Sequence, residues 1–455
     1  MNTSYDVKFW ETRRNSASKT PSYTVRWTVG GLAKSKTFRT KALADSFLSD
    51  LRQAAKRGEA FDLKTGLPES MLAPARNEGP TFLTFSQSYL AGRWVHLSAL
   101  SREAVAYALL SMLPMLVKDI PNRPEDDDLR AVLRTYALLP ESRRSELPKQ
   151  LEKALGWLEK ASLPLADLAE PRVIRLALDS IALTFAGKSA AATTVRRKRA
   201  ILHHMMESAV ELRLLPSNPL HAVKWKRPVA ADAVDPGTVV NPAQARALLD
   251  AVGRVGRTRG RRMVAMFACM YYAALRSEEV AALRRQNCHL PEEGWGVITL
   301  ERARPQANKR WSDSGESHDE RGLKHRAVKE TRTIPIPPVL VALLRAHIDE
   351  YGAAADGRLF RTGQGSRYSA SACSQVWQEA RRLAFTPEQL VSRLAARPYD
   401  LRHAAVSLWL NAGVPAPEVA KRAGHSVDVL LKVYAKCIDG HQSRANGQID
   451  HALDE

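Results

Sequence analysis

The stretch RPYDLRHAAVSLWLNAGVPAPEVAKRAGHSVDVLLKVYAKCIDG, residues 397–440, decides how this chain is read. Its spacing is helical, and Arg402, His403, His425 and Tyr434 punctuate it at intervals that need a reason. Gly424 suits the end of one helix and Ser426 the cap of the next, which leaves His425 in the turn between them. Tyr434 then falls late in the following helix. A lone tyrosine on an amphipathic face is usually packing, and a lone arginine is usually half of a surface ion pair. A cation, an imidazole and a phenol at successive helix ends suggest a site. His403 reads as structural.

Upstream, Asn241-Pro242 is a helix start. An apolar helix through RRMVAMFACMYYAAL (261–275) runs into ALRSEEVAAL, where Arg276 precedes Glu279 by three residues. GVITLE (296–301) has strand composition, and a polar insert occupies 302–322. In GLKHRAVKETRTIPIPP, the segments LKHR and TRTIPI predict a β-hairpin with lysines near its tip, and Pro337-Pro338 opens another helix.

In order, ALRSEEVAAL, LKHRAVKETRTIPIPP, YDLRHAAVSLWLNAG and AGHSVDVLLKVY resemble the tyrosine recombinase (phage integrase) family over about 241–440. The LKHR and YDLRH spellings are most similar to integrases of actinobacterial phages and integrative elements. R-x-x-E alone would mean little, but four motifs in one order are specific. The resemblance implies Arg276, Arg402, His425 and nucleophilic Tyr434 as catalytic residues. It also implies a hairpin lysine as proton donor, with Lys324 preferred and Lys329 open. Where the family has the histidine of H-x-x-R, this chain has Tyr399, which could donate a hydrogen bond to phosphate but is a poor base at neutral pH.

Elementary chemistry agrees. Strand cleavage passes through a highly anionic phosphorane-like state. A fixed guanidinium can offer it two parallel charge-assisted hydrogen bonds. Such a clamp lowers the barrier more than it tightens binding. A phenol of pKa ~10 needs cationic neighbours or a base to attack.

The N-terminal half reads as two units. In residues 1–66, YDVKFW, YTVRWTV and AKSKTF predict a three-stranded sheet with a Gly30-Gly31 turn. A helix capped by Thr40 follows, with Leu43, Phe47 and Leu51 on its inner face and Gly58 at its end. Arg26, Lys34, Lys36 and Arg39 are assigned to the sheet's polar side, where a basic surface could meet a DNA groove. After a linker at 67–80, residues 81–222 are helical. The last helix places Arg196, Arg197, Lys198 and Arg199 in its first turns, where the helix dipole gives cations no advantage and a phosphate would. His203 and His204 read as fillers rather than metal ligands. These units resemble the family's arm-site-binding domain and its core-site-binding, SAM-like domain. A second linker, 223–240, leads into a catalytic domain at 238–455. The predicted fold class is therefore multidomain, mainly α with small β elements, ending in an α+β catalytic domain.

Composition points the same way. The 455 residues carry 68 Lys and Arg against 48 Asp and Glu, a net charge of +20, which calls for a polyanionic partner. Four scattered cysteines fit a reducing cytosol and neither a disulfide framework nor a zinc site. The N-terminal segment MNTSYDVKFW lacks a signal-peptide core, and no apolar run suits a membrane span. The expectation is a cytoplasmic, nucleoid-associated DNA recombinase that acts on double-stranded attachment sites as a homotetramer. An excision factor or host DNA-bending protein would assist it. Metal and cofactors are not called for: there is no acidic two-metal cluster and no Gly-rich phosphate loop. Two rival readings are a type IB topoisomerase-like strand relaxase and a DNA-binding protein that has lost catalysis.

Overall fold

The computed structural model describes residues 3–15, 21–68, 71, 79–229, 233–323, 330–437, 446–447, 449–450 and 453. The N-terminal unit contains β1 (Thr3–Ser4), β2 (Val7–Phe9), β3 (Arg13–Asn15), β4 (Ser22–Val29), β5 (Leu32–Phe38), α1 (Lys41–Lys56) and β6 (Phe61–Asp62). β5 pairs along one edge of β4, while β2 and β3 share the other edge end to end. The sheet is thus three strands wide, as expected, with its first position broken in two. Gly30 and Gly31, at φ +53° and +79°, supply the left-handed turn the hairpin needs. Val25, Trp27 and Val29 point onto α1.

Two expectations need correction here. The buried stripe of α1 is Ala44, Leu48, Leu51 and Ala54, and Leu43 is exposed. Alanines supply half the stripe, so a reading that counts only large apolar residues is rotated by one position. The second concerns the sheet's faces. Trp27 pairs with Lys34 and Val25 with Lys36, and directly paired residues share a face. Lys34 and Lys36 therefore lie on the helix side. Lys34 donates to the Lys64 carbonyl at 2.8 Å, and the Lys36 ammonium stands 4.8 Å from the Phe47 ring centre. Arg26 is on the opposite, outer face, opposed to Ser35. The register adds Lys8, paired with Thr28, and Arg13, paired with Thr24, to that face.

The expected 67–80 linker lies mostly outside the described residues. The helical unit follows: α2 (Phe82–Arg93), α3 (Ala99–Met112), α4 (Asp126–Val132), α5 (Lys149–Ala161), α6 (Pro171–Ile181) and α7 (Ala192–Glu211). They enclose one apolar core. The prolines at 121 and 124 separate α3 from α4, where chain direction must change.

The C-terminal region contains α8 (Pro242–Arg254), α9 (Val264–Tyr272), α10 (Ser277–Ala282), β7 (Cys288–His289), β8 (Gly296–Leu300), β9 (Arg302–Ala303), β10 (Arg321–Gly322), β11 (Arg332–Ile336), α11 (Pro338–Tyr351), α12 (Ala370–Ala384), α13 (Pro387–Val391), α14 (Asp400–Asn411), α15 (Ala416–Ala423) and α16 (Val427–Tyr434). Asn241 and Gln244 form the capping box of α8. The expected LKHR–TRTIPI hairpin falls largely on residues 324–329 and so lies outside the described residues. Among the described residues β11 pairs with β8, β8 pairs with β7, and the insert's own ends pair as β9 and β10. Residues 324–329, with Lys324 and Lys329, lie outside the described residues. The second linker is not free at its end: the Val234 amide donates to the Val433 carbonyl at 2.7 Å, beside Tyr434. No described helix is long and apolar enough to cross a membrane.

Candidate active site

Four segments deliver the expected polar residues to one place. Arg276 occupies the N-cap of α10, after the buried run of α9. Tyr399 caps α14, and Arg402 sits in its first turn with no solvent exposure. Gly424 ends α15 in the left-handed conformation, and the Ser426 side chain caps α16 by accepting from the Val429 amide. His425 is held between the two, and Tyr434 closes α16. The local signals at 424 and 426 act as expected because each satisfies orphan groups of a helix end.

The guanidiniums are fixed by the backbone. Arg402 donates to the carbonyls of Ala274 and Ala423, the latter at 2.6 Å, and to His425 Nε2 at 2.7 Å. Arg276 donates to the Gly424 carbonyl and to Glu279 Oε1, both at 2.7 Å. Glu279 also takes both terminal nitrogens of Arg332, at 2.9 and 2.7 Å, and both members of that pair are 2 % exposed. Burial pushes the Glu279 carboxyl up, but Arg332 and then Arg276 outweigh it and hold it below its ordinary value. Arg332 was not among the expected residues. Its signal was a cation at the start of a buried strand, which charge patterning alone does not distinguish from a surface residue.

His403 requires correction as well. Far from a bystander, its Nδ1 lies 2.9 Å from Tyr434 Oη. The Tyr399 ring packs edge-on against His403 at 5.2 Å. Burial lowers His403 to about 4, so the imidazole is neutral at pH 7, and in its Nε2–H tautomer Nδ1 accepts a hydrogen bond from the phenol. Burial and then Arg402 and Arg276 take His425 down to about 3. Tyr434 is 1 % exposed, and burial raises its pKa, while Arg402 pulls the other way. The site as it stands is a neutral phenol and two neutral imidazoles set among fixed cations.

Two buried donors here lack a partner among the described residues: Arg402 Nε and His425 Nδ1. Since Nε2 of His425 accepts from Arg402, its Nδ1 carries the proton. Unpaired buried donors cost free energy unless something accepts from them.

The expected contact residues outside this site are placed unevenly. Arg197 is exposed on α7, and Arg196 and Arg199 are half-buried; with Trp225 and Arg227 these arginines line an open cleft. Lys198 is turned inward, 8 % exposed, donating to Ser111 Oγ at 2.7 Å, so it is withdrawn as a contact residue. Four consecutive helical positions span all faces, so at least one must point into the core. Arg26 and Arg39 are exposed. His204 bonds Tyr89 and Arg93. His203, Glu207 and His221 bring ligand atoms within 4.8 Å of one another. They do not belong to the Arg402–Tyr434 cluster.

The fold of the C-terminal region is the tyrosine recombinase catalytic fold. Residues 238–440 match the phage integrase family, and this stretch of the chain is similar to the tyrosine recombinases. A search of curated proteins returned no match. Similar solved structures include the Tn1549 transposon integrase with a circular intermediate DNA, at 15% identity and TM-score 0.47, covering 71% of this chain and 98% of that one. The XerH recombinase bound to difH has 12% identity and TM-score 0.46, covering 81% and 94%. The lambda integrase bound to DNA has 12% identity and TM-score 0.39, covering 64% and 89%.

Proposed function

We propose that this recombinase integrates or excises a mobile element by cutting duplex DNA through a 3′-phosphotyrosine at Tyr434. The observation that carries this is the buried convergence of Tyr434, Arg402, His425 and Arg276 around two unpaired donors. A scissile phosphate oxygen is the acceptor those donors lack. In the cleavage step the Tyr434 oxygen attacks phosphorus and the bond to the 5′-oxygen breaks. The phenolic proton passes to His403 Nδ1, 2.9 Å from Oη, as Oη bonds to phosphorus, and the 5′-oxygen takes a proton from the lysine that the resemblance assigns, Lys324, with Lys329 as the alternative. Arg276 and Arg402 stabilise the charge on the non-bridging oxygens. Tyr399, at the position of the family's histidine, adds a hydrogen bond to the phosphate. The ester keeps the energy of the broken linkage, and attack by a 5′-hydroxyl from another duplex reverses the step, so neither ATP nor metal enters.

In this reading, residues 81–222 hold the crossover site through Arg196, Arg197 and Arg199. Residues 1–66 hold a distal site through the outer sheet face with Arg26 and Arg39. Exchange between two duplexes then requires four subunits. A nicked suicide duplex tests the core of it: wild type should become covalently linked to DNA and Tyr434→Phe should not. Linkage by the phenylalanine variant would remove Tyr434 from the chemistry. Strand exchange between two duplexes, as opposed to relaxation of a supercoiled plasmid, separates integrase from relaxase.

A further inference from the structure

The polar insert at 302–322 has no role in the chemistry above, yet it joins the two halves of the chain through buried side chains. Its Trp311 is 1 % exposed and, with Ala307, lies in the apolar core of the helical unit rather than in its own domain. The Trp311 ring packs on Trp94 at 5.9 Å. Beside it, Arg102 is 2 % exposed and grips Asp313 with two bonds of 2.8 and 2.9 Å, while donating to the carbonyls of Trp94 and Trp311. Trp94 Nε1 donates to the same carboxylate at 3.0 Å, and the Ala99 amide donates to Asp319 at 3.3 Å. A polar sequence gave no hint of this, because a single tryptophan among Ser, Asp and Gly carries no periodicity.

The root of the insert is equally tied. The Arg304 amide donates to the Glu278 carbonyl at 2.8 Å, and Glu278 lies in the first turn of α10, two residues past Arg276. Glu320 pairs with the side chains of Arg302 and Arg304, closing the insert at its neck. One rigid path therefore runs from the helical unit's core to the helix that carries Arg276. The same α3 also faces the open space. Ala99 and Arg102 meet the insert, whereas Leu100, Glu103 and Tyr107 lie on another face. Leu100 lines both the cleft containing Arg197 and the one containing Tyr399 and Arg397.

We propose that the insert is a strut that sets the distance between the basic helix α7 and the catalytic arginines, so that Trp311, Asp313 and Arg102 are positioning residues that fix where along a duplex the cut falls. The inference rests on the recombinase reading above. Its physical basis is that a displacement of about 1 Å at a reacting centre can cost on the order of 100-fold in rate. Two domains joined only by a flexible linker would not hold that tolerance.

The test uses the full chain and a pool of randomised linear duplexes. Covalent protein–DNA adducts are captured and sequenced, which yields both the bound motif and the cut position relative to it. Wild type should show one offset. Asp313→Ala and Trp311→Phe should bind the recovered wild-type motif within about threefold, lose about tenfold or more in adduct yield, and spread the cut over neighbouring positions. Asp313→Glu should recover the single offset. Should either the alanine or the phenylalanine variant prove unfolded, Asp319→Ala tests the same strut at its second anchor, the bond from the Ala99 amide. A single wild-type offset at wild-type yield in the variants overturns the proposal. So does a loss of binding, yield and melting temperature in parallel, since that marks mere stabilisation. If wild type gives no adduct, or Tyr434→Phe gives one, the recombinase reading fails, and the strut with it.

Discussion

Arginine serves this chain in two opposite ways. In the proposed catalytic pocket, Arg402, Arg276 and Arg332 are buried or nearly so, and backbone carbonyls and Glu279 hold them in place. On α7, Arg197 is exposed, and Arg199 leans on Trp225 with its guanidinium 4.6 Å from the ring. The first arrangement loses hydration once, at folding, and presents charge at a fixed point. The second keeps its hydration and its freedom, which suits phosphates met at varying positions. Under the proposed function, burial separates the cations that would meet a transition state from those that would meet a DNA surface.

The sharpest way to break this contrast is Arg402→Ala. Cleavage should fall by about 10²–10³-fold in a single-turnover adduct assay, with DNA binding largely kept. Equal loss of binding and cleavage would reduce Arg402 to a structural post. Glu279→Gln comes next: removing the charge that Arg332 and Arg276 share should cost about 3–5 kcal/mol in urea unfolding. The same change at exposed Glu418, paired with Arg422, should cost roughly 0.5 kcal/mol. Similar costs at both sites would erase the distinction. On the surface side, Arg196→Glu with Arg197→Glu should shrink the log–log salt slope of binding by roughly 2. An unchanged slope would take α7 out of the interface. The smallest expected effect is at Lys198→Met, where the salt slope should not move, because the ammonium already points at Ser111.

Acid offers a further probe. His403 and His425 titrate near 4 and 3 in the folded protein, against 6.5 ordinarily. Between those limits the unfolded chain binds more protons, so stability rises with pH across that window and is lost as pH falls from about 6.5 toward 4. His403→Gln should flatten the fall in melting temperature over this range; a slope identical to wild type would place His403 in water.

Much of the pocket was legible because it depends on helix ends, where single residues act through local geometry. Gly424, Ser426 and Asn241 are read from their own neighbours. What was not legible depends on contacts distant in sequence. His403 meets Tyr434 across 31 positions, and Arg102 meets Asp313 across 211. Lys34 and Lys36 were placed on the wrong face because composition marks a strand as basic, but only register assigns its sides. Lys198 shows the same limit within one helix: a run of four cations says nothing about which one the core will take.

Gly424 carries a consequence out of proportion to its size. At φ +67°, its missing side chain is the space that the Arg332 guanidinium occupies, with Arg276 Nη1 3.3 Å from where a Cβ would stand. An alanine there would strain the left-handed turn and displace the cationic scaffold together. A survey of inactive variants should therefore find a residue with no functional group behaving like a lost arginine, and a search confined to chemically reactive positions would pass over it.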